Sequence, residues 1–322
     1  MIKNVGILTS GGDAPGMNAA VRSVVRCGIA MGLNMFAIYD GYNGLLRGTI
    51  EPITTRGVCD ILQRGGTVLS TARCKEFITE EGQKKGYDIA KEHGLDAIVV
   101  IGGDGSFKGA RALANLGLPT VAIPGTIDND IACSEYTIGF DTALNTAMNA
   151  VDKVRDTMTS HSRCCLIEVM GKNAGYLALD VAIATGAEAV LIPERDFDFE
   201  KDVIEPVKAS KKVGKKNHII IVAEGMDINV TEMAKIIEKA TNVSTRATIL
   251  GHIQRGGSPT CKDRVMASRM GKKAVELLVE GKSNRVVCLK SGEISDLDIN
   301  EALNMKKSIS EEELKLSAML SI

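Results

Sequence analysis

Tryptophan is absent from the 322 residues, and aromatic residues amount to only 3%. A stacking platform for single-stranded nucleic acid needs aromatic faces, so composition argues against that class. A dominant charge is missing too. Lys and Arg number 39 against 40 Asp and Glu, a net charge of −1. That balance argues against a general nucleic-acid or membrane-surface binder, though it leaves room for a local basic patch facing phosphates. No apolar run approaches the about 20 residues that span a membrane. Residues 1–8 are too short for a secretory leader and are soon followed by Gly11-Gly12-Asp13, so a cytoplasmic protein is expected. The four histidines are scattered, without zinc-site spacing. None of the eight cysteines forms a C-x-x-C pair, and only Cys164 and Cys165 are adjacent. They read as small buried hydrophobes in a reducing compartment.

What is present is an ordinary globular balance, 44% apolar and 25% charged. At about 100–200 residues per domain, the length predicts two domains. Apolar strands and amphipathic helices alternate throughout. Strands are expected over 5–9, 35–39, 96–101, 163–170, 189–192, 218–223 and 246–250, with a short extended piece over 67–70. Helices are expected over 17–31, 56–63, 82–93, 107–116, 139–158, 176–185, 201–212, 232–241 and 263–279, with 41–56 rich in loop. Repeated strand–loop–helix units predict an α/β fold with mostly parallel sheets covered on both faces. Ligand loops then belong at the carboxyl ends of the strands, in a cleft between domains.

The central stretch is Pro119-Thr120-Val121-Ala122-Ile123-Pro124-Gly125-Thr126-Ile127-Asp128-Asn129-Asp130. A short apolar strand is stopped by Pro124 and Gly125. A loop then presents a hydroxyl and two carboxylates. On these residues alone, a surface turn and a ligand site stand about even. Two further loops weigh on the choice. Ser10-Gly11-Gly12-Asp13 lies between strand and helix, a layout that aims backbone N–H groups at an anion. Its spacing matches neither the P-loop nor the dinucleotide fingerprint. Gly102-Gly103-Asp104-Gly105-Ser106 follows a fully apolar strand. Its glycines leave room for phosphate oxygens, and Asp104 is a hard oxygen ligand suited to Mg²⁺ already bridging phosphates.

Together with Met170-Gly171-Lys172 and Leu250-Gly251-His252-Ile253-Gln254-Arg255-Gly256-Gly257-Ser258-Pro259, these motifs resemble the bacterial ATP-dependent 6-phosphofructokinases over essentially the whole chain. The GGDGS turn is shared with NAD and lipid kinases. The TIDND and GHIQRGGSP loops are far more specific. The resemblance implies two Rossmann-like three-layer domains. An ATP-binding domain would take 1–139 and 252–305, and a sugar-phosphate and effector domain 140–251 and 306–322. It also implies a homotetramer with active sites completed across a subunit interface, and Mg²⁺ carried with ATP.

The implied reaction moves the ATP γ-phosphoryl to the 1-hydroxyl of fructose 6-phosphate. Asp128 matches the catalytic base, Thr126 would steady the transferring group, and Arg73 and Lys172 would serve the transfer. Gly11, Arg73, Cys74 (through its backbone), Gly103, Asp104, Gly105 and Ser106 match the ATP ligands, with Asp104 toward the metal. Substrate contacts fall on Thr126, Ile127, Asp128, Arg163, Met170, Gly171, Lys172, Glu224, Arg246, His252, Ile253, Gln254 and Arg255. Arg163 and Arg246 would reach a neighbouring subunit's site. An effector site for ADP and phosphoenolpyruvate would use Arg22, Val25, Arg26, Thr55, Arg56, Asp60, Arg155, Gly186, Glu188, Lys215 and Lys216. Arg22 and Arg26 stand four apart and share a helix face.

One departure is Lys172, where the family usually carries arginine. Lysine keeps the charge and loses the bidentate fork, so weaker sugar-phosphate binding or a lower kcat is expected. Pyrophosphate-using relatives carry Asp and Lys where this chain has Gly105 and Gly125, so ATP is the expected donor. Two competing readings remain. A lipid- or NAD-kinase-like enzyme would not need the TIDND and GHIQRGGSP loops. A non-catalytic sugar-phosphate sensor would be expected to have lost Asp104 or Asp128.

Overall fold

Strand and helix alternate through the computed structural model, which describes residues 2–321. The chain forms two units. One takes the residues up to Ile127, Ile131–Thr142 and Arg255–Lys307. The other takes Asp128–Asp130, Ala143–Gln254 and the residues from Ser308 on. The first unit opens with β1 (Asn4–Ser10), α1 (Met17–Ala30), β2 (Asn34–Ile38), α2 (Gly41–Arg47), β3 (Ile50–Pro52), α3 (Glu80–Glu92), β4 (Ala97–Gly102), α4 (Asp104–Asn115) and β5 (Thr120–Pro124). The second holds most of α5 (Phe140–His161), then β6 (Cys164–Val169), α6 (Tyr176–Thr185), β7 (Ala189–Leu191), α7 (Glu205–Lys212), β8 (His218–Ala223), α8 (Val230–Thr241) and β9 (Thr245–Ile249). The chain returns to the first unit with α9 (Cys261–Val279), β10 (Arg285–Lys290), β11 (Glu293–Asp298) and α10 (Ile299–Asn304), and α11 (Glu311–Leu320) belongs to the second.

In the first unit seven strands run in the order β11-β10-β5-β4-β1-β2-β3. The inner pairs are parallel; β2–β3 and β10–β11 at the edges are antiparallel. β4 is buried along its whole length, as an apolar run covered on both faces should be. Phe107, Leu113, Ile98 and Leu118 fill one side of the sheet. The register pairs Ser10 with Gly102 and Gly102 with Pro124. Three carboxyl ends are therefore level, and the loops after β1, β4 and β5 share one sheet edge.

In the second unit β7-β8-β6-β9 form an all-parallel sheet. Val169 pairs with Ala223 and Glu168 with Ile249. The loops after β6, β8 and β9 thus share an edge as well. Val203, Ile204, Val207 and Ile237 pack against this sheet.

Three local expectations fail. Residues 56–63 form turns rather than a helix, because Asp60 adopts φ 54, outside the right-handed helical region. Residues 67–70 are a turn rather than extended, with Ser70 at φ 56. The segment 41–56 is not all loop, since α2 and β3 lie within it. Buried Tyr42, Leu45 and Leu46 hold α2 in place despite the Asn43-Gly44 turn signal. α4 also starts three residues earlier than expected, so Asp104 opens the helix and Gly103 is its N-cap.

Candidate active site

The level edge of the first unit carries the glycine loops. Gly102 must be glycine: a Cβ there would lie 2.4 Å from the Ser10 carbonyl oxygen and 2.4 Å from Ser106 Oγ. That close approach lets buried Ser106 donate from Oγ to the Ser10 carbonyl at 3.0 Å, tying the β1 and β4 loops together. Gly103 and Gly105 face open space; a Cβ on either would meet nothing within 4 Å. The first turn of α4 therefore offers backbone N–H groups and room for phosphate oxygens, with no side-chain cap at Gly103.

Asp104 is exposed at that N-terminus. Among the described residues, no three His, Cys, Asp or Glu side chains gather to hold a metal ion. A single carboxylate beside open glycines fits Mg²⁺ that arrives with phosphate oxygens and keeps its waters, not a metal caged by protein alone.

The segment around Arg73 and Cys74 has no regular structure, and polar side chains pin it. Thr71 Oγ1 donates to the Gly11 carbonyl at 2.9 Å. Thr9 Oγ1 donates to the Ser70 carbonyl at 2.8 Å. Buried Asn18 receives Val68 N–H at 2.7 Å and donates to the Arg64 carbonyl at 3.0 Å. Arg73 itself is exposed and Cys74 half-buried. Thr9 in β1, Asn18 in α1 and Thr71 in the loop escaped the sequence reading, because isolated polar residues carry no spacing signal.

After β5, Gly125 N–H bonds the Gly102 carbonyl at 3.0 Å and Thr126 N–H bonds the Ile138 carbonyl at 3.1 Å. Ile127 is fully buried, and Asp128 is only 5% exposed. Asn129 follows at φ 51. The GHIQRGGSP loop divides between the units: 251–254 in the second, Arg255 onward in the first. Arg255 Nη1 donates to the Asp13 carbonyl at 3.2 Å. A Cβ on Gly12 would lie 2.6 Å from that nitrogen, so glycine lets the guanidinium lie over the β1 loop.

In the second unit, Glu224 stands just after β8. Its Oε1 accepts N–H from Gly171 at 3.3 Å and from Lys172 at 2.5 Å. Lys172 has φ 58, so a residue with a side chain is held in the left-handed region. Its Nζ pairs with Asp130 at 3.1 Å and is well exposed. Fully buried Gln254 accepts Met170 N–H at 2.8 Å, which locks the β9 loop to the β6 loop. His252 and Ile253 are exposed. Met170, Gly171, Lys172, Glu224 and Gln254 are thus brought together.

Arg163 and Arg246 are not. Arg163 immediately precedes β6, and Arg246 is the second residue of β9, opposite Cys165. Both lie at the amino ends of strands. From Arg163 to Met170, seven residues of extended chain cover about 23 Å. Arg246 is half exposed, with Glu238 at 3.6 Å.

The effector candidates also divide. Arg22, Val25 and Arg26 lie on α1, and Thr55, Arg56 and Asp60 on the turns after β3, all in the first unit. Arg155, Gly186, Glu188, Lys215 and Lys216 belong to the second. There Arg155 donates to the Thr185 carbonyl, next to Gly186. Buried Glu188 pairs with Lys215 Nζ at 2.7 Å, lies 3.4 Å from His218 Nδ1, and accepts Ile219 N–H at 2.6 Å. Burial pushes the Glu188 carboxyl up, but hydrogen bonds from His218, Lys215 and Ile219 outweigh it and leave it below the usual carboxylate range. Lys216 is exposed.

Comparison with known proteins bears on the family and the fold. The family model described as phosphofructokinase matches residues 4–278. An ATP-dependent 6-phosphofructokinase of Clostridium botulinum (strain Loch Maree / Type A3) is 53% identical over 320 residues, 99% of this chain and 100% of that protein. The protein of that name from Clostridium tetani (strain Massachusetts / E88) is 54% identical over 320 residues, with the same coverage. The solved phosphofructokinase from Saccharomyces cerevisiae matches with a TM-score of 0.89 at 35% identity over 99% of this chain. It is the longer protein: this chain spans 48% of it, about half.

Proposed function

The chain belongs to the phosphofructokinase family, and from that premise we propose that it transfers the γ-phosphoryl of ATP to the 1-hydroxyl of fructose 6-phosphate. Asp128 takes the proton of the attacking hydroxyl, a role worth about 10²–10⁴ in rate. Thr126 steadies the phosphoryl group in flight. Arg73 and Lys172 set positive charge against it, and positioning with charge neutralisation supplies the rest of the acceleration.

The nucleotide phosphates lie on Gly11, Arg73, Cys74, Gly103, Gly105 and Ser106. Asp104 would hold Mg²⁺ arriving with the nucleotide, and the ion would supply neutralisation of phosphoryl charge. Glu224 holds the 171–172 turn and presents its remaining oxygen to a sugar hydroxyl. Arg163, Arg246, His252 and Arg255 bind the 6-phosphate. Arg255 does so by exchanging its bond to Asp13.

The observation that carries this reading is the shared edge of β1, β4 and β5, where open glycines and Asp104 stand level with the start of the 125–130 loop. ATP rather than pyrophosphate as donor is favoured by Gly105 and Gly125. A coupled assay comparing turnover of fructose 6-phosphate with ATP and with pyrophosphate tests both points. Turnover with pyrophosphate alone would reject the donor assignment, and no turnover with either would reject the function.

We further propose a homotetramer in which Arg163 and Arg246 serve a neighbouring subunit's site. Their place at the amino ends of β6 and β9, far from Met170, supports this. Arg22, Arg26, Arg56, Arg155 and Lys215 would bind the phosphates of ADP or phosphoenolpyruvate, with Asp60, Gly186 and Glu188 as polar partners. Loss of the ADP response in Arg26→Ala, with basal turnover kept, would test the effector site.

A further inference from the structure

We propose that Asp263 is a positioning residue for phosphoryl transfer, acting through the backbone that braces Thr126. This goes beyond the roles assigned above and rests on the reading of Thr126 and Asp128 as transfer residues.

Asp263 lies in the first turn of α9, far in sequence from that loop, and is fully buried. Its Oδ1 accepts Tyr136 Oη at 2.5 Å and Gly139 N–H at 2.7 Å. Its Oδ2 accepts Thr142 N–H at 2.9 Å and Thr142 Oγ1 at 2.5 Å. One carboxylate therefore gathers three points of the limb that returns from the 125–130 loop and enters α5. A stray stabilising contact does not need four donors on a group that costs much to bury.

The gathered limb bears directly on Thr126. Ile138, next to Gly139, gives its N–H to the Pro124 carbonyl at 3.0 Å and receives Thr126 N–H at 3.1 Å. Thr137 Oγ1 donates to the Thr126 carbonyl at 2.7 Å. Both backbone polar groups of Thr126 are thus fixed by residues 137 and 138. Ile138 also packs close to Gly16, where a Cβ would lie 2.7 Å from its Cγ2. The chain path is short: Asp263 fixes Gly139, Gly139 fixes Ile138, and Ile138 fixes Thr126, two residues before Asp128. Among the described residues, no N–H or O–H of the glycine loops at 10–13 and 102–106 donates to Asp263.

The role separates from simple stapling by its kinetic signature. Misplacing a reacting group by about 1 Å costs up to about 10²-fold in rate, while a nucleotide site that does not move keeps its affinity. Steady-state kinetics of the full-length enzyme with MgATP and fructose 6-phosphate are measured for Asp263→Asn and Tyr136→Phe, with thermal unfolding alongside. The expected result is a kcat lower by about tenfold or more in folded protein, with KM for MgATP within about twofold. Tyr136→Phe removes one hydrogen bond without changing the carboxylate, and it decides the matter if Asp263→Asn does not fold. A kcat reduced by less than about fivefold in the folded variant, whatever the loss in Tm, overturns the proposal and leaves Asp263 a staple. Wild-type protein without turnover would instead reject the functional reading beneath it.

Discussion

Removing the Glu224 carboxylate should disable the turn at 171–172 while leaving the fold intact. Glu224 Oε1 accepts two backbone N–H groups, the shorter at 2.5 Å from Lys172. A hydrogen bond to a charged group contributes about 1.5–3 kcal/mol. The bond from Gly171 at 3.3 Å is long and adds less. Against this stands the cost of holding Lys172 at φ 58, about 1 kcal/mol or more. Without the carboxylate the turn loses the bonds that offset that cost, and it shifts by about 2–3 kcal/mol toward other conformations. At 1.36 kcal/mol per decade, Glu224→Ala should lower kcat/KM for fructose 6-phosphate by about 30- to 150-fold, with KM for MgATP unchanged. Glu224→Gln keeps an acceptor without its charge. Charge-assisted bonds are roughly twice as strong as neutral ones, so the loss should fall to about five- to thirteenfold. The assay is steady-state kinetics with each substrate varied in turn. If Glu224→Ala holds kcat/KM for fructose 6-phosphate within about twofold of wild type, the turn does not depend on Glu224 and the reasoning is refuted.

Three further outcomes follow from named contacts. Gly102→Ala drives a Cβ to 2.4 Å from the Ser10 carbonyl oxygen; a loss of at least about 2 kcal/mol in denaturant unfolding is expected, and an unchanged midpoint would count against the close approach. Glu188 is held below its ordinary value of 4.5 in the folded state, so it contributes stability above that pH and loses it as pH falls through the lowered folded value. Glu188→Gln should therefore flatten the acid side of a Tm-against-pH curve, and an unaltered slope would contradict the assignment. Arg246→Ala removes a half-exposed ion pair and a bond to the neighbouring Thr245 carbonyl, so Tm should barely move while KM for fructose 6-phosphate rises; a normal KM would remove Arg246 from the site.

What could be read in the sequence was whatever repeats or runs. β4 announced itself through the unbroken apolar residues 97–101, because a strand buried on both faces needs nothing else. The GGDGS, TIDND and GHIQRGGSP loops were visible because glycines and carboxylates after such strands are uncommon. α2 stayed hidden behind Asn43-Gly44, since its reason for being helical is the tertiary burial of Tyr42, Leu45 and Leu46. Residues 56–63 went wrong the other way, with helix-like spacing overruled by the left-handed Asp60. Within the site, Asp128, Asp104 and Glu224 were legible as types, but not the use of Glu224 as a backbone anchor. Asp263 and Asn18 were invisible, because a lone polar residue in a helix discloses its partners only when distant segments fold onto it.

The proposed chemistry depends first on Asp128 as the base for transfer from ATP to a sugar hydroxyl. Its most direct measurement is the initial rate of ADP formation with fructose 6-phosphate and MgATP, for wild type and Asp128→Asn under identical conditions. The wild type should be active and the variant slower by about 10²–10⁴-fold in kcat, with both KM values close to wild type. A variant that keeps kcat within about threefold of an active wild type would contradict that role.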